Sequence, residues 1–201
     1  MATAIDAQTV KSLRDETGLS MMKCKAALVE SGGDKEKAKE ILRKQGIAFA
    51  AKKSGRATKE GAVGAYVHFN GRVGVMVELG CESDFVAKND EFKSLLKELT
   101  MHIAFADPVA VGREQVPAAL VEKEKEIYRA QVAETAKNKP PEIVEKIVSG
   151  KLEKFYAEKC LLDQPFYKDD KHKVGELLQN AVAKLGENLV VRRFCRMEVG
   201  Q

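Results

Sequence analysis

The chain predicts an α+β fold: an N-terminal three-helix bundle, then a core of a small antiparallel sheet with packed helices and a helical hairpin. Three observations carry this. Short apolar-periodic stretches, each closed by glycine, fill residues 1–50. The apolar period then switches from helical to two between Ala62 and Leu79. Helical periodicity returns from about Asn89, and the chain closes on a β-rich stretch, Leu189 to Val199.

In the first fifty residues the helix ends are written locally. Asp6 is placed to cap a first helix with Val10 and Leu13 inward, which Thr17-Gly18 ends. Ser20 caps a second, Met21 to Ser31, stopped by Gly32-Gly33. Asp34 caps a third, with Ala38, Ile41 and Leu42 inward and Gly46 closing it. Connections this tight give a small bundle with a modest core, suited to docking. Residues 51–60, AKKSGRATKE, carry basic residues and no apolar periodicity, so they are expected to form a flexible basic linker. Residues 61–201 then make the core domain.

The core begins with a hairpin, in which Val63, Ala65 and Val67 alternate with small or polar residues before Asn70-Gly71, and Val73, Val75, Val77 and Leu79 alternate after it. A two-residue Asn70-Gly71 loop sets Val67 opposite Gly74 and splits the valines between two faces. A three-residue loop with Gly71 left-handed pairs His68 with Arg72 and aligns the valines on one face. The second register, a type I turn with a bulge, is expected.

A helix from about Asn89 to Ala106 follows, its buried stripe Phe92, Leu95, Leu96, Leu99 and Ile103, broken at Pro108. Residues 117–137 and 141–160 read as two helices separated by Lys137-Asn138-Lys139-Pro140-Pro141. Leu120, Ile127 and Val132 face Val144, Ile147, Val148, Leu152 and Phe155 in a hairpin whose outer faces are rich in Lys and Glu. A last helix, Val174 to Leu185, turns at Gly186-Glu187-Asn188 into a closing strand expected to pair with the hairpin.

Composition excludes several classes of function. Basic and acidic residues number 34 and 30 in 201, a net charge of +4, which is no nucleic-acid footprint. Aromatics are 6% and tryptophan is absent, so base-stacking platforms are undersupplied. Cys24, Cys81, Cys160 and Cys195 include no C-x-x-C, and His68, His102 and His172 form no ligand pair with another His or Cys at close spacing, so no metal or cofactor is expected. The start Met1-Ala2-Thr3-Ala4-Ile5-Asp6 lacks a signal-peptide pattern, and no apolar run suffices to span a membrane; a cytoplasmic protein is expected. No G-x-x-x-x-G-K-[ST] or G-x-S-x-G occurs, Asp169-Asp170 reads as a solvated loop, and no histidine stands beside Cys81 or Cys160 to activate a thiol. The chain reads as a binding protein rather than an enzyme.

Three places depart from a plain division into core and surface. In Met21-Met22, one Met belongs in the core and the other is a soft exposed contact, with Arg14 beside it. Met22, Ala26 and Val29 make one stripe, and Met21 and the Cys24/Leu28 side face another way. In Cys81-Glu82-Ser83-Asp84-Phe85-Val86, Phe85 and Val86 are adjacent in a turn and do not both enter one core; Phe85 is either an inward ring or an exposed wedge. Asp84 either caps a helical turn or serves the loop's function. His102, at the border of its helix's stripe, is either a satisfied structural histidine or a contact.

At these residues the sequence resembles bacterial and organellar elongation factor Ts. LRDETGLSMMKCKAALVESGGDKEKAKEILRKQG matches the family's opening signature, and YVHFNGRVGVMVELGCESDFVAKNDEF its second. QPFYKD and LGENLVVRRFCRMEVG match its C-terminal end. The resemblance implies a guanine nucleotide exchange factor that binds elongation factor Tu in its GDP form and promotes GDP release, without cofactor, membrane or any required contact to nucleic acid. It implies that the bundle, a ubiquitin-associated-like module, docks through Arg14, Met21 and Met22. The turn Ser83, Asp84, Phe85 and Val86 then disturbs the partner's Mg²⁺ site, and His102 contacts the partner near its nucleotide pocket. Ser83 replaces the family's usual Thr and Lys23 a frequent Asp. Short members of this kind are expected to pair as homodimers, with Cys195 near its mate. The alternative is a basic RNA- or ribosome-associated protein without exchange activity, working through the linker and the Lys-rich hairpin.

Overall fold

The computed structural model describes residues 5–135 and 140–200. The expected inter-helix residues Lys137, Asn138 and Lys139 lie outside them. The chain divides into two compact units. One holds the residues through Ala62 with Leu79–Leu95 and Glu176–Val190; the other holds Val63–Glu78, Leu96–Gly175 and the residues from Val191 on.

In the first unit, α1 (Ala7–Thr17), α2 (Met21–Glu30) and α3 (Lys35–Lys53) enclose Val10, Leu13, Cys24, Ala27, Leu28, Ala38 and Leu42. Local chemistry sets most of the ends. Gly18, left-handed at φ 67°, donates its N–H to the Arg14 carbonyl at 2.7 Å. Ser20 Oγ accepts from the Lys23 N–H, and Asp34 Oδ1 from the N–H groups of Glu36 and Lys37 at 3.0 and 3.1 Å. Asp6 stands at the N-cap of α1 without a side-chain cap bond.

Two expectations fail in this region. Gly46 does not close α3, which runs on to Lys53. Glycine inside a helix costs about 1 kcal/mol against alanine, but Gly46 is buried, and a Cβ there would lie 3.5 Å from that of Ala183. Packing therefore carries the helix through. Nor are residues 51–60 a free tether. Residues 51–53 are helical and Glu60 opens a strand, while Asn188 Nδ2 donates to the carbonyls of Ser54 and Arg56 at 3.3 and 2.8 Å.

β1 (Glu60–Val67), β2 (Val73–Cys81) and β5 (Val190–Glu198) form the antiparallel sheet, in the order β1-β2-β5. The turn is closed by Gly71 N–H to the His68 carbonyl at 2.8 Å, with Gly71 at φ 68° as expected. The register is not the expected one. The His68 N–H donates to Val73, at 2.8 Å, rather than to Arg72, whose own N–H is taken by Asn70 Oδ1 at 3.0 Å. A shift of one residue exchanges the faces. Val63 and Val67 are exposed while Val75, Val77 and Leu79 are buried, so the valines are split. The physical reason lies on β1's inner face. A Cβ at Gly64 would come within 2.6 Å of Leu96, so this strand turns Gly64, not its valines, toward the helix.

α4 (Asp84–Ala87) is a single turn between β2 and α5 (Asp90–Ala106). The expected stripe of α5, Phe92, Leu95, Leu96, Leu99 and Ile103, is buried throughout. In the second unit α6 (Ala118–Thr135) and α7 (Pro141–Lys159) form the helical hairpin. Val132 and Val148 are buried in it, whereas Ile127 stays exposed, so the packed seam is narrower than expected. Arg113 fastens the hairpin's base, bonding Asp163 at 2.7 Å and Glu153 at 2.9 and 3.0 Å. Asp169 belongs to a small strand pair, β3 (Pro165–Phe166) and β4 (Asp169–Lys173), rather than to a loop. α8 (Val174–Leu185) follows directly.

Candidate partner-facing site

The turn after β2 runs from the buried Cys81 through half-buried Glu82 and Ser83 to the exposed Asp84 and Phe85. Cys81 is buried, its thiol held above its ordinary pKa chiefly by burial, and its Sγ donates to the Ser83 carbonyl at 3.0 Å. Ser83 and Val86 are half-buried, and Asp84 is exposed. Phe85 is 82% exposed, so of the two readings of this ring the outward one holds. Asp84 does not cap α4 from outside; it is the helix's first residue, and its Oδ2 bonds Lys88 Nζ at 2.7 Å. That ammonium holds the Asp84 carboxyl below its ordinary pKa.

What orients the turn is Glu187. Its Oε2 accepts from the N–H groups of Glu82 and Ser83 at 3.0 and 2.9 Å, and its Oε1 from Ser83 Oγ at 2.6 Å. In return Glu82 Oε1 accepts the Asn188 N–H at 2.8 Å, the bond that chiefly holds the Glu82 carboxyl below its ordinary pKa. The sequence contained both residues, in a turn preceding the last strand, but gave no local sign of this pairing.

On α2 the expectation that one methionine is core is overturned. Met21 is 42% and Met22 76% exposed, because Cys24, Ala27 and Leu28 fill the inward face. Met22, Ala26 and Val29 thus form an outward apolar stripe. Arg14 is also exposed. These residues and the turn belong to the first unit.

His102 belongs to the second unit, where it is 0% exposed. Its Nε2 pairs with Gln164 Oε1 at 3.0 Å, and its Nδ1 receives the Tyr167 N–H at 3.4 Å. Burial pushes its pKa down. Gln164 is itself anchored, donating to the carbonyls of Ala106 and Glu158 at 3.2 and 2.6 Å. In this conformation the imidazole supports the β3-β4 strands, while Phe105, off the buried stripe of α5, is the aromatic turned to solvent there. Cys195 is exposed on β5, on a sheet face where Val63, Val67, Met76, Met197 and Val199 are exposed too. Among the described residues no cluster of three or more His, Cys, Asp or Glu is placed to hold a metal, and no helix is long and apolar enough to cross a membrane.

An α+β chain that offers solvent an unsupported phenyl ring and a methionine-bearing helix face has the outline of a macromolecule-binding protein. More particularly, the chain belongs to the elongation factor Ts family, whose family model, described as Elongation factor TS, matches residues 7–201; it is a translation elongation factor. Among its relatives, the Elongation factor Ts of Fervidobacterium nodosum is 54% identical over 98% of this chain and 99% of its own. That of Thermodesulfovibrio yellowstonii is 54% identical over 98% of each chain, and that of Thermotoga petrophila 54% identical over 98% of this chain and 97% of its own.

Proposed function

We propose that this protein binds elongation factor Tu carrying GDP and accelerates GDP release by disturbing the partner's Mg²⁺ site. The single observation that carries the reading is the exposed ring of Phe85 on a turn whose backbone is held by Glu187. GDP is retained in a GTPase by phosphate contacts and by Mg²⁺ bridging to them. A factor that favours the nucleotide-free state weakens nucleotide binding by the same ratio, because linkage is reciprocal. Each decade of acceleration lowers the release barrier by about 1.4 kcal/mol, and burying one phenyl ring supplies about 2–3 kcal/mol. Phe85 therefore accounts for part of the effect, and docking by the bundle supplies the rest.

In this reading residues 1–50, a ubiquitin-associated-like module, dock through Arg14, Met21 and Met22, and the Met22–Val29 stripe enlarges that surface. Ser83, Asp84, Phe85 and Val86 form the intruding turn. His102 acts from the interior, by supporting the β3-β4 strands. The protein works in the cytoplasm without a cofactor. Two copies pair through the exposed sheet face that carries Cys195, an isologous contact in which each apolar side chain meets its own symmetry neighbourhood. Release of fluorescent GDP from elongation factor Tu, followed with and without this protein, tests the central claim; an unaltered rate at every concentration refutes it. Light scattering of Met197→Asp against the native chain tests the pairing, which is refuted if both have one mass.

A further inference from the structure

The first N–H groups of a helix lack intrahelical partners and are usually met by an N-cap side chain. Ser83 stands at the N-cap of α4 and makes no such bond. Its hydroxyl instead reaches Glu187, as do its own N–H and that of Glu82, so one carboxylate gathers three donors at 2.6–3.0 Å. Asn188 returns a bond to Glu82 and also holds the carbonyls of Ser54 and Arg56. The turn before α4 is thereby locked to the turn after α8 across more than a hundred residues of chain.

α4 is a single turn, too short to persist by its own hydrogen bonds. Its exposed Asp84–Lys88 pair adds little. Phe85, projecting into solvent, takes its direction from the backbone beneath it. We propose that Glu187 is a positioning residue for nucleotide exchange: it fixes the 82–83 backbone so that the Phe85 ring is aimed before the partner arrives. This rests on the reading that the turn acts on the partner. Without Glu187 the two amides and the hydroxyl turn to water, the ring samples many directions, and the step it serves slows, because a preorganised group loses less freedom on engagement. Docking through α2 does not involve Glu187.

The test uses the full chain and measures GDP release from elongation factor Tu against factor concentration for Glu187→Ala, Glu187→Asp, Glu187→Gln and Phe85→Ala. Glu187→Ala and Glu187→Asp, the latter too short to reach, lower the saturating rate by about tenfold or more, as loss of the three hydrogen bonds that hold the turn implies. The half-saturating concentration stays within about threefold. Glu187→Gln keeps the saturating rate within about threefold, since its carbonyl takes the two N–H groups and the Ser83 hydroxyl rotates to accept from its amide. Hydrogen exchange at the Ser83 amide speeds up in the Ala and Asp variants and not in Gln. If Phe85→Ala slows release while Glu187→Ala and Glu187→Asp do not, the positioning role is overturned and the proposed function stands. If Phe85→Ala is also without effect, the proposed function falls with it. A raised half-saturating concentration at an unchanged saturating rate overturns positioning as well. Should Glu187→Ala not fold, Glu187→Asp against Glu187→Gln decides by the same criteria.

Discussion

Replacing Phe85 by alanine separates stability from function. The ring is 82% exposed, so the folded chain already leaves it in water and has little to lose by its removal. The variant should unfold within about 0.5 kcal/mol of the native chain, as surface substitutions do. In the proposed complex the same ring passes from water into an apolar crevice, a transfer of about 2–3 kcal/mol. If that energy is realised as nucleotide leaves, the saturating rate of GDP release falls by about 30- to 150-fold. Stopped-flow release of fluorescent GDP at saturating factor reads the rate, and urea unfolding of the same preparations reads the stability. A rate equal to that of the native chain, with stability unchanged, refutes the wedge. A large loss of stability refutes the structural premise that the ring is unsupported.

Other changes probe other parts of the molecule. Met22→Ala combined with Val29→Ala should raise the half-saturating concentration by about tenfold and leave the saturating rate alone, as loss of docking contacts does; a change confined to the rate contradicts the docking role. Gly64→Ala should cost about 1–2 kcal/mol, because strain against Leu96 outweighs the entropy gained in the unfolded chain. The urea midpoint shows it, and pairing the change with Leu96→Val should cost less than the sum of the two. For His102 the sign follows from burial. Its folded-state pKa lies below the ordinary 6.5, so the unfolded chain takes up this proton first. The stability it contributes is full above about pH 6.5 and declines as pH falls toward the folded value. The stability difference between the native chain and His102→Gln, read from urea midpoints at pH 7 and pH 5, should therefore shift against the native chain at pH 5, and a constant difference refutes the assignment.

Sequence and structure agree where neighbours in the chain supply the cause. The bonds of Ser20 and Asp34 at their helix starts, and the left-handed Gly18 and Gly71, involve partners only a few residues away. The apolar spacing of α5 likewise needed nothing distant to be read. The turn at Phe85 was half legible: adjacency to Val86 showed that both do not enter one core, but not which side chain turns outward.

By itself the sequence determined the α+β class, the bundle, the stripe of α5 and the family to which the chain belongs, because capping, periodicity and long motifs are written in consecutive residues. The tertiary structure alone decided the hairpin register, the passage of α3 through Gly46, the exposure of both Met21 and Met22, the burial of His102 and the grip of Glu187 on the turn. Apart from the methionines, whose exposure follows from Cys24, Ala27 and Leu28 filling the inward face of α2, each depends on a group far away in the chain: Leu96 against Gly64, Ala183 against Gly46, Gln164 on His102, Ser83 on Glu187. Packing and hydrogen-bond satisfaction between distant segments override local propensity at such places, and only folding brings those segments together.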